Sequence, residues 1–352
     1  LPDHFPPLFT APPDGPIDDF MEDASGAPAT TVDRAPTGDG TTLSITPAAG
    51  GEPLSFQEIY RRNIPSIVSI RGYTADGMSL GTGVVLSEDG YIITNAHVIE
   101  GSSSVDILLY DDSTYSALLV GMDSESDLAV LKIDARALTP AQFGDSDQLE
   151  VGDVALAIGN PLGEELRGTM TDGIISAINR DVNVDGRNMV LLQTTAALNS
   201  GNSGGALIND HGQVIGITTL KMSSYYDTIE GLGFAIPTTT VKEIVDVLIA
   251  QGYISGRPTI GITVNTYPVE TEDGVSGLQI MDVDPMGNAW DAGLRAGDII
   301  LAANGRTVSA MADLEEIRDQ AGVGGTLTLE VLREGERLTF SFELVDRYTL
   351  DG

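Results

Sequence analysis

The sequence predicts a mainly β chain, with two β-rich folded units behind a disordered N-terminal tail. Three observations predict it. Short apolar runs recur between Gly, Asn and Asp turn signals from about Ser55 onward. Helical periodicity is confined to a few brief stretches. The composition also changes abruptly near residue 55.

Residues 1–54 read as the tail. They hold ten of the 17 prolines, nine acidic residues and one basic residue, Arg34. Their apolar side chains follow no period, so too little surface is available to offset the entropy of ordering the chain. The numbering opens on Leu1 without an initiator Met, which leaves room for a signal or anchor segment ahead of it. Composition supports two readings of the tail equally, a spacer from a membrane tether and an unstructured end.

The first folded unit is expected over 55–254. Ser55 through Tyr60 opens a short helix, with Ser55 as cap and Glu58 at the capping-box position. Strands follow at Ile67–Arg71, Gly83–Leu86, Tyr91–Asn95, Val105–Tyr110, Ser116–Val120 and Leu128–Ile133. The series continues through Val154–Ile158, Thr169–Ile178, Val190–Thr194, Gly205–Ile208 and Val214–Thr219. Many short strands at this spacing indicate a barrel or a sandwich. Glu88-Asp89-Gly90 and Asp210-His211-Gly212 read as hairpin turns. Thr239–Ala250, apolar at Val241, Ile244, Val245, Leu248 and Ile249, closes the unit as an amphipathic helix.

The second unit is expected over 258–346. Its strands read as Thr259–Asn265, Leu278–Val283, Asp298–Ala303, Thr326–Arg333 and Leu338–Leu344. Met311–Gln320 is its helix, with Asp313, Glu315 and Glu316 suited to the positive end of the dipole.

Bulk properties narrow the function. With 52 acidic against 18 basic side chains, the formal charge is −34. Such a surface repels phosphate and argues against nucleic acid as a partner. The absence of cysteine excludes disulfides, thiol nucleophiles and Cys-ligated metals.

A serine nucleophile needs an activating base, normally imidazole. Of three histidines, His4 lies in the tail and His211 in a polar turn where exposure is expected. His97 directly follows the apolar run Tyr91–Asn95, where a folded frame can hold it. Alone it proves little, because a histidine among apolar residues is more often a satisfied core residue. Asn199 through Gly205 supplies a serine, Ser203, between glycines, a pattern suited to a tight turn with amides free for a substrate. The amides of Gly201 and Ser203 are then placed to stabilise a developing oxyanion. Asp127 precedes the strand Leu128–Ile133 and is suited to orient His97; Asp123 and Glu125 are its competitors. The chain order His, Asp, Ser is that of the chymotrypsin class.

With these residues in place, the chain resembles the HtrA/Deg serine proteases. The likeness is carried by Gly81–Leu86, Tyr91–Ile99, Ser126–Ile133, Val151–Asp153, Ala157–Pro161, Gly201–Gly205 and Gly231–Pro237. It implies a trypsin-like double β-barrel, then a PDZ domain, in homotrimers built by the protease domains. It implies endopeptidase action on misfolded envelope proteins, without metal, ATP or other cofactor. By position, His97 is the general base, Asp127 orients it, Ser203 attacks, and Gly201 and Ser203 form the oxyanion hole. Two positions depart from the family pattern: Thr195 stands where Asp is usual, and Ser200 where Pro or Arg is common.

The resemblance also places Ala197, Leu198 and Leu220 near the pocket for the residue before the cut bond. Without a carboxylate among them, small aliphatic residues are the expected choice, loosely selected. In the PDZ unit, Ile260, Gly261 and Ile262 match the carboxylate-binding loop and its strand, where a peptide C-terminus adds as a further strand. The competing reading is a chaperone or peptide-sensing scaffold whose triad is largely idle.

Overall fold

The computed structural model describes residues 30–47, 50–160, 167–184, 187–199, 201–219, 232–265, 267–270, 274 and 276–350. Strands of the first unit are β1 (Ile45–Thr46), β2 (Ile67–Thr74), β3 (Gly77–Val85), β4 (Tyr91–Thr94), β5 (Ser104–Leu108), β6 (Thr114–Asp123) and β7 (Leu128–Lys132). They continue as β8 (Phe143–Gly144), β9 (Val154–Gly159), β10 (Thr169–Val184), β11 (Arg187–Thr194), β12 (Ala206–Ile208), β13 (Val214–Thr219) and β14 (Gly233–Pro237). The helices are α1 (Phe56–Asn63), α2 (Ala96–Ile99) and α3 (Thr238–Gln251).

Two barrels result. The first closes in the order β2-β3-β4-β7-β6-β5. Val68, Ile70, Ile92, Ile107, Leu119 and Leu131 belong to its core, and all are essentially buried. In the second, β13-β12-β9-β10-β11-β14 are consecutive neighbours, and β13 pairs with β14 to close the ring. Closure removes the unpaired sheet edges that an open sheet of this size would expose. A larger apolar cluster joins the two barrels to the helices, with Ile59, Leu128, Leu156, Ile158, Val241, Val245 and Leu248 all buried. The apolar face read from the sequence of α3 is therefore the face that packs.

Residues from Thr30 onward correct the expected tail. Val32 and Leu43 are buried, at 5% and 0% exposure. The backbone is tied laterally: Leu119 N–H donates to Asp33 O (2.8 Å), and Ala35 N–H donates back to Leu119 O (2.9 Å). Farther on, Leu43 N–H donates to Asp246 Oδ1 (2.7 Å), and β1 pairs in parallel with β8. This strap needs no hydrophobic period because the barrels supply its partners. The cap of α1 is also half of what was expected. Ser55 Oγ accepts from Glu58 N–H at 3.2 Å. The Glu58 carboxylate, however, pairs with Arg61 (2.9 Å) and Arg62 (2.8 Å), two cations one turn on.

The second unit is a sheet in the order Ile262–Val264, Ser276–Val283, Ile299–Ala303, Thr326–Arg333, Glu336–Glu343. Its helix Met311–Ala321 buries Leu314 and Ile317. The strand expected over Thr259–Asn265 is split in two. Gly261, at φ +72°, breaks it, and Pro258–Thr259 pairs instead with Val345–Asp346. Among the described residues no helix is long and apolar enough to cross a membrane.

Candidate active site

The barrels meet around Asp127 and Ser203, which bond Thr219 and Thr82 of the opposite barrel. His97 lies on α2, a single turn leaving β4, with its side chain 20% exposed. Its Nδ1 is 2.9 Å from both carboxylate oxygens of Asp127, and its backbone N–H donates to Asp127 Oδ1 at 3.1 Å. Asp127 is buried and has a left-handed backbone, φ +54°, just before β7. Asn95 Nδ2 donates to its carbonyl (2.9 Å), which holds that conformation. From the other barrel, Thr219 Oγ1 donates to Asp127 Oδ2 at 2.9 Å. With Nδ1–H directed at a carboxylate, the imidazole presents Nε2 as its free acceptor.

Ser203 is buried on a turn fastened at both ends. Asn202 N–H donates to Asn199 O and Gly205 N–H to Asn202 O, each at 2.9 Å. Thr82 N–H, from β3, donates to Ser203 O at 2.9 Å. Next in the chain, Gly204 has φ +82°, and a Cβ there would fall 2.1 Å from Thr82 O and 3.2 Å from Asn95 N. Only glycine permits this approach, which sets the serine turn against the residues leading into α2. The structure thus pairs His97 with Asp127 directly and brings Ser203 to the same junction through Thr82, Thr94 and Asn95.

The competing residues have other partners. Asp123 and Glu125 contact Arg257, with Asp123 at 2.5 Å and Glu125 at 3.4 Å. His211 is half-buried rather than exposed; Asp210 Oδ1 lies 2.6 Å from its Nδ1, and the Gly51 carbonyl lies 3.4 Å from its Nε2. His4 lies outside the described residues. Among the described residues no group of three or more His, Asp or Glu is placed to hold a metal ion.

Gly201 has φ +95° and is half-buried; its carbonyl accepts from Thr82 Oγ1 at 2.6 Å. Ala197 is exposed, with its carbonyl accepting from Thr171 Oγ1 (2.8 Å), and Leu198 packs against the core of the second barrel. Leu220 and Ser200 lie outside the described residues. Thr195, at the position where the family carries Asp, accepts the Ile174 N–H on Oγ1 at 3.0 Å. A hydroxyl thus tethers this loop to β10.

In the second unit the Ile260 side chain is part of the core. Gly261 N–H donates to Thr259 Oγ1 (3.3 Å), and its carbonyl accepts from Asp284 N–H (2.8 Å). Ile262 opens the terminal strand of the sheet. Leu350 lies against Gly261, with its Cδ1 3.1 Å from where a Cβ would stand.

Sequence reasoning missed Thr82, Asn95 and Thr219. Their only signal was polarity at the margins of expected strands, Thr82 just before one and Asn95 and Thr219 at the ends of two others, and each is 2% exposed or less.

Comparison with known proteins agrees with this architecture. The trypsin-like peptidase domain matches residues 81–217, and the PDZ domain matches residues 258–344. The chain is 42% identical over 283 residues to the serine protease Do-like HtrA of Lactobacillus helveticus, covering 76% of this chain and 68% of that protein. It is 41% identical to the serine protease Do-like HtrB of Bacillus subtilis, covering 75% and 61%, respectively. A probable periplasmic serine endoprotease, DegP-like, of Chlamydia trachomatis is 40% identical, with 77% and 55% covered. The chain therefore spans about half to two thirds of the length of these relatives. Among solved structures, a serine endoprotease from Yersinia pestis superposes with a TM-score of 0.54 at 35% identity, over 84% of this chain and 99% of that one. With its double barrel, its PDZ domain and these relatives, the chain belongs to the HtrA/Deg family of serine proteases.

Proposed function

We propose that Ser203, His97 and Asp127 form the working triad of an ATP-independent endopeptidase that cleaves unfolded proteins in the cell envelope. The observation that carries this reading is the doubly coordinated imidazole: His97 Nδ1 lies 2.9 Å from each oxygen of a buried carboxylate. In the proposed reaction His97 Nε2 removes the Ser203 hydroxyl proton as Oγ attacks the scissile carbonyl. Asp127 holds the ring and stabilises the imidazolium. The amides of Gly201 and Ser203 receive the developing oxyanion. His97 then returns the proton to the leaving amine, and water resolves the acyl-enzyme by the reverse route.

Ala197 and Leu198, with Leu220, form the specificity pocket in this reading. Their uncharged side chains favour Val, Ala or Ile before the cut bond. We divide the chain into a protease domain ending near residue 254 and a PDZ domain over 258–346. A peptide C-terminus adds as a strand beside Ile262–Val264, with backbone from Ile260, Gly261 and Ile262 meeting its carboxylate. The terminal position of that strand supports this. The envelope location rests on relatives described as periplasmic. Trimer assembly through the protease domains and an N-terminal membrane tether complete the proposal.

The test is casein cleavage and fluorophosphonate labelling by wild type and Ser203→Ala. We expect the variant to lose at least about 10⁴-fold in turnover and all labelling. Mass spectrometry of the digest should show small aliphatic residues before the cuts. Cuts dominated by Lys or Arg would refute the pocket. A wild type that suppresses aggregation yet never labels at Ser203 would replace proteolysis with the scaffold reading.

A further inference from the structure

Resting on the reading of Ser203 as nucleophile and Gly201 as oxyanion donor, we propose that Thr82 is a positioning residue, whose hydroxyl sets the nucleophile turn in its reactive register. Thr82 is completely buried on β3, in the barrel that carries His97 and Asp127. All of its polar atoms engage the junction. Its N–H donates to Ser203 O at 2.9 Å. Its Oγ1 donates to Gly201 O at 2.6 Å and accepts Asn160 N–H at 2.9 Å. Its carbonyl accepts from Thr94 Oγ1 at 2.8 Å.

The arrangement is a bracket. Gly201 and Ser203 belong to the turn that must aim two amides and one hydroxyl. Glycine at φ +95° has no side chain to restrain it, so an external partner must decide the orientation of its carbonyl. The Thr82 hydroxyl does so from one side, while the Thr82 amide fixes the serine carbonyl two residues on. Asn160 completes the frame. It receives the Gly168 N–H on Oδ1 (2.8 Å) and donates through Nδ2 to Val68 O of the first barrel (3.0 Å). Thr82 and Asn160 therefore tie the second barrel's nucleophile turn to the first barrel's base. The backbone bonds remain available in Thr82→Val and Thr82→Ser, whereas the Oγ1 bonds are lost in Thr82→Val, so the hydroxyl can be tested by itself.

The experiment compares Thr82→Val, which keeps the shape and removes the hydroxyl, with Thr82→Ser, which keeps the hydroxyl. The readouts are kcat and KM on a peptide substrate, the rate of fluorophosphonate labelling, and the circular dichroism spectrum. For Thr82→Val we expect kcat and labelling rate to fall about tenfold to a hundredfold, with KM within about twofold. Thr82→Ser should stay within about threefold of wild type in both. Equal losses in the two variants would show that the methyl group's packing carries the effect, and the proposal would fail. It would also fail if folded Thr82→Val kept wild-type kcat, or lost activity through KM alone. Should Thr82→Val not fold, Thr82→Ala under the same readouts takes its place, with the same two outcomes. Wild type that does not label at Ser203 would instead overturn the underlying assignment of the nucleophile.

Discussion

Asp127 shows how much a single residue's geometry demands. A non-glycine residue in the left-handed region costs about 1–2 kcal/mol relative to ordinary backbone. At φ +54° Asp127 accepts that cost, and the Asn95 side chain bonding its carbonyl offsets it. The conformation turns the carboxylate back over α2, so that one side chain meets both the ring and the amide of His97. Asp127→Asn should keep this shape but lower kcat by about 10³–10⁴-fold, because an amide NH₂ facing Nδ1 favours the tautomer that cannot accept the serine proton. Steady-state kinetics beside a thermal melt checks it; a large loss of melting temperature with matching loss of activity would count against it. That Asp127, rather than Asp123 or Glu125, meets His97 was legible from its place before an apolar strand. Its backbone was not, because a left-handed aspartate has no sequence pattern of its own.

Among the elements, the strap at 30–47 departs most from its composition. It makes no barrel strand and carries proline, yet it crosses the first barrel, meets α3 and ends beside β8. Its stability comes from partners far away in the chain. Leu43→Ala removes a completely buried side chain between α3 and the barrels, so urea unfolding should show a loss of about 2–5 kcal/mol. A second attachment responds to pH. The Thr41 amide and then the Tyr91 hydroxyl hold the Asp39 carboxyl below its ordinary 3.8. Its contribution is therefore present at neutral pH and disappears as pH falls below 3.8 through the lowered folded value. The cost of Leu43→Ala, which involves no titrating group, should persist at acid pH wherever the protein remains folded.

Between its two units the molecule is joined by a compact polar link. Arg257, just before the Pro258–Thr259 strand, reaches back to Asp123 at the end of β6 and to Glu125 on the turn that leads into Asp127. Gly256 N–H and Arg257 N–H both donate to the Asp346 carboxylate, so the same linker is held from the PDZ side. Arg257→Gln leaves the buried Asp123 facing a neutral group. It should cost about 1–3 kcal/mol and expose the linker near 252–258 to limited proteolysis. Unchanged cutting and an unchanged melt would show that the link is incidental.

What the sequence determined by itself was local: the strand runs, the three helices, the Gly-Asn-Ser-Gly-Gly turn and the chain order of the proposed triad residues. Each is written within a few consecutive positions, through side-chain period, turn chemistry or glycine. The double closure of the strands was expected through the family resemblance and not from the strand pattern alone; only the tertiary structure decided that the stretch from Thr30 is a packed strap, and that Thr82, Asn160 and Thr219 bridge the barrels. Such choices are made by hydrogen bonds between residues scores of positions apart. A buried threonine satisfied by a distant backbone looks, in the sequence, like any other threonine in a strand.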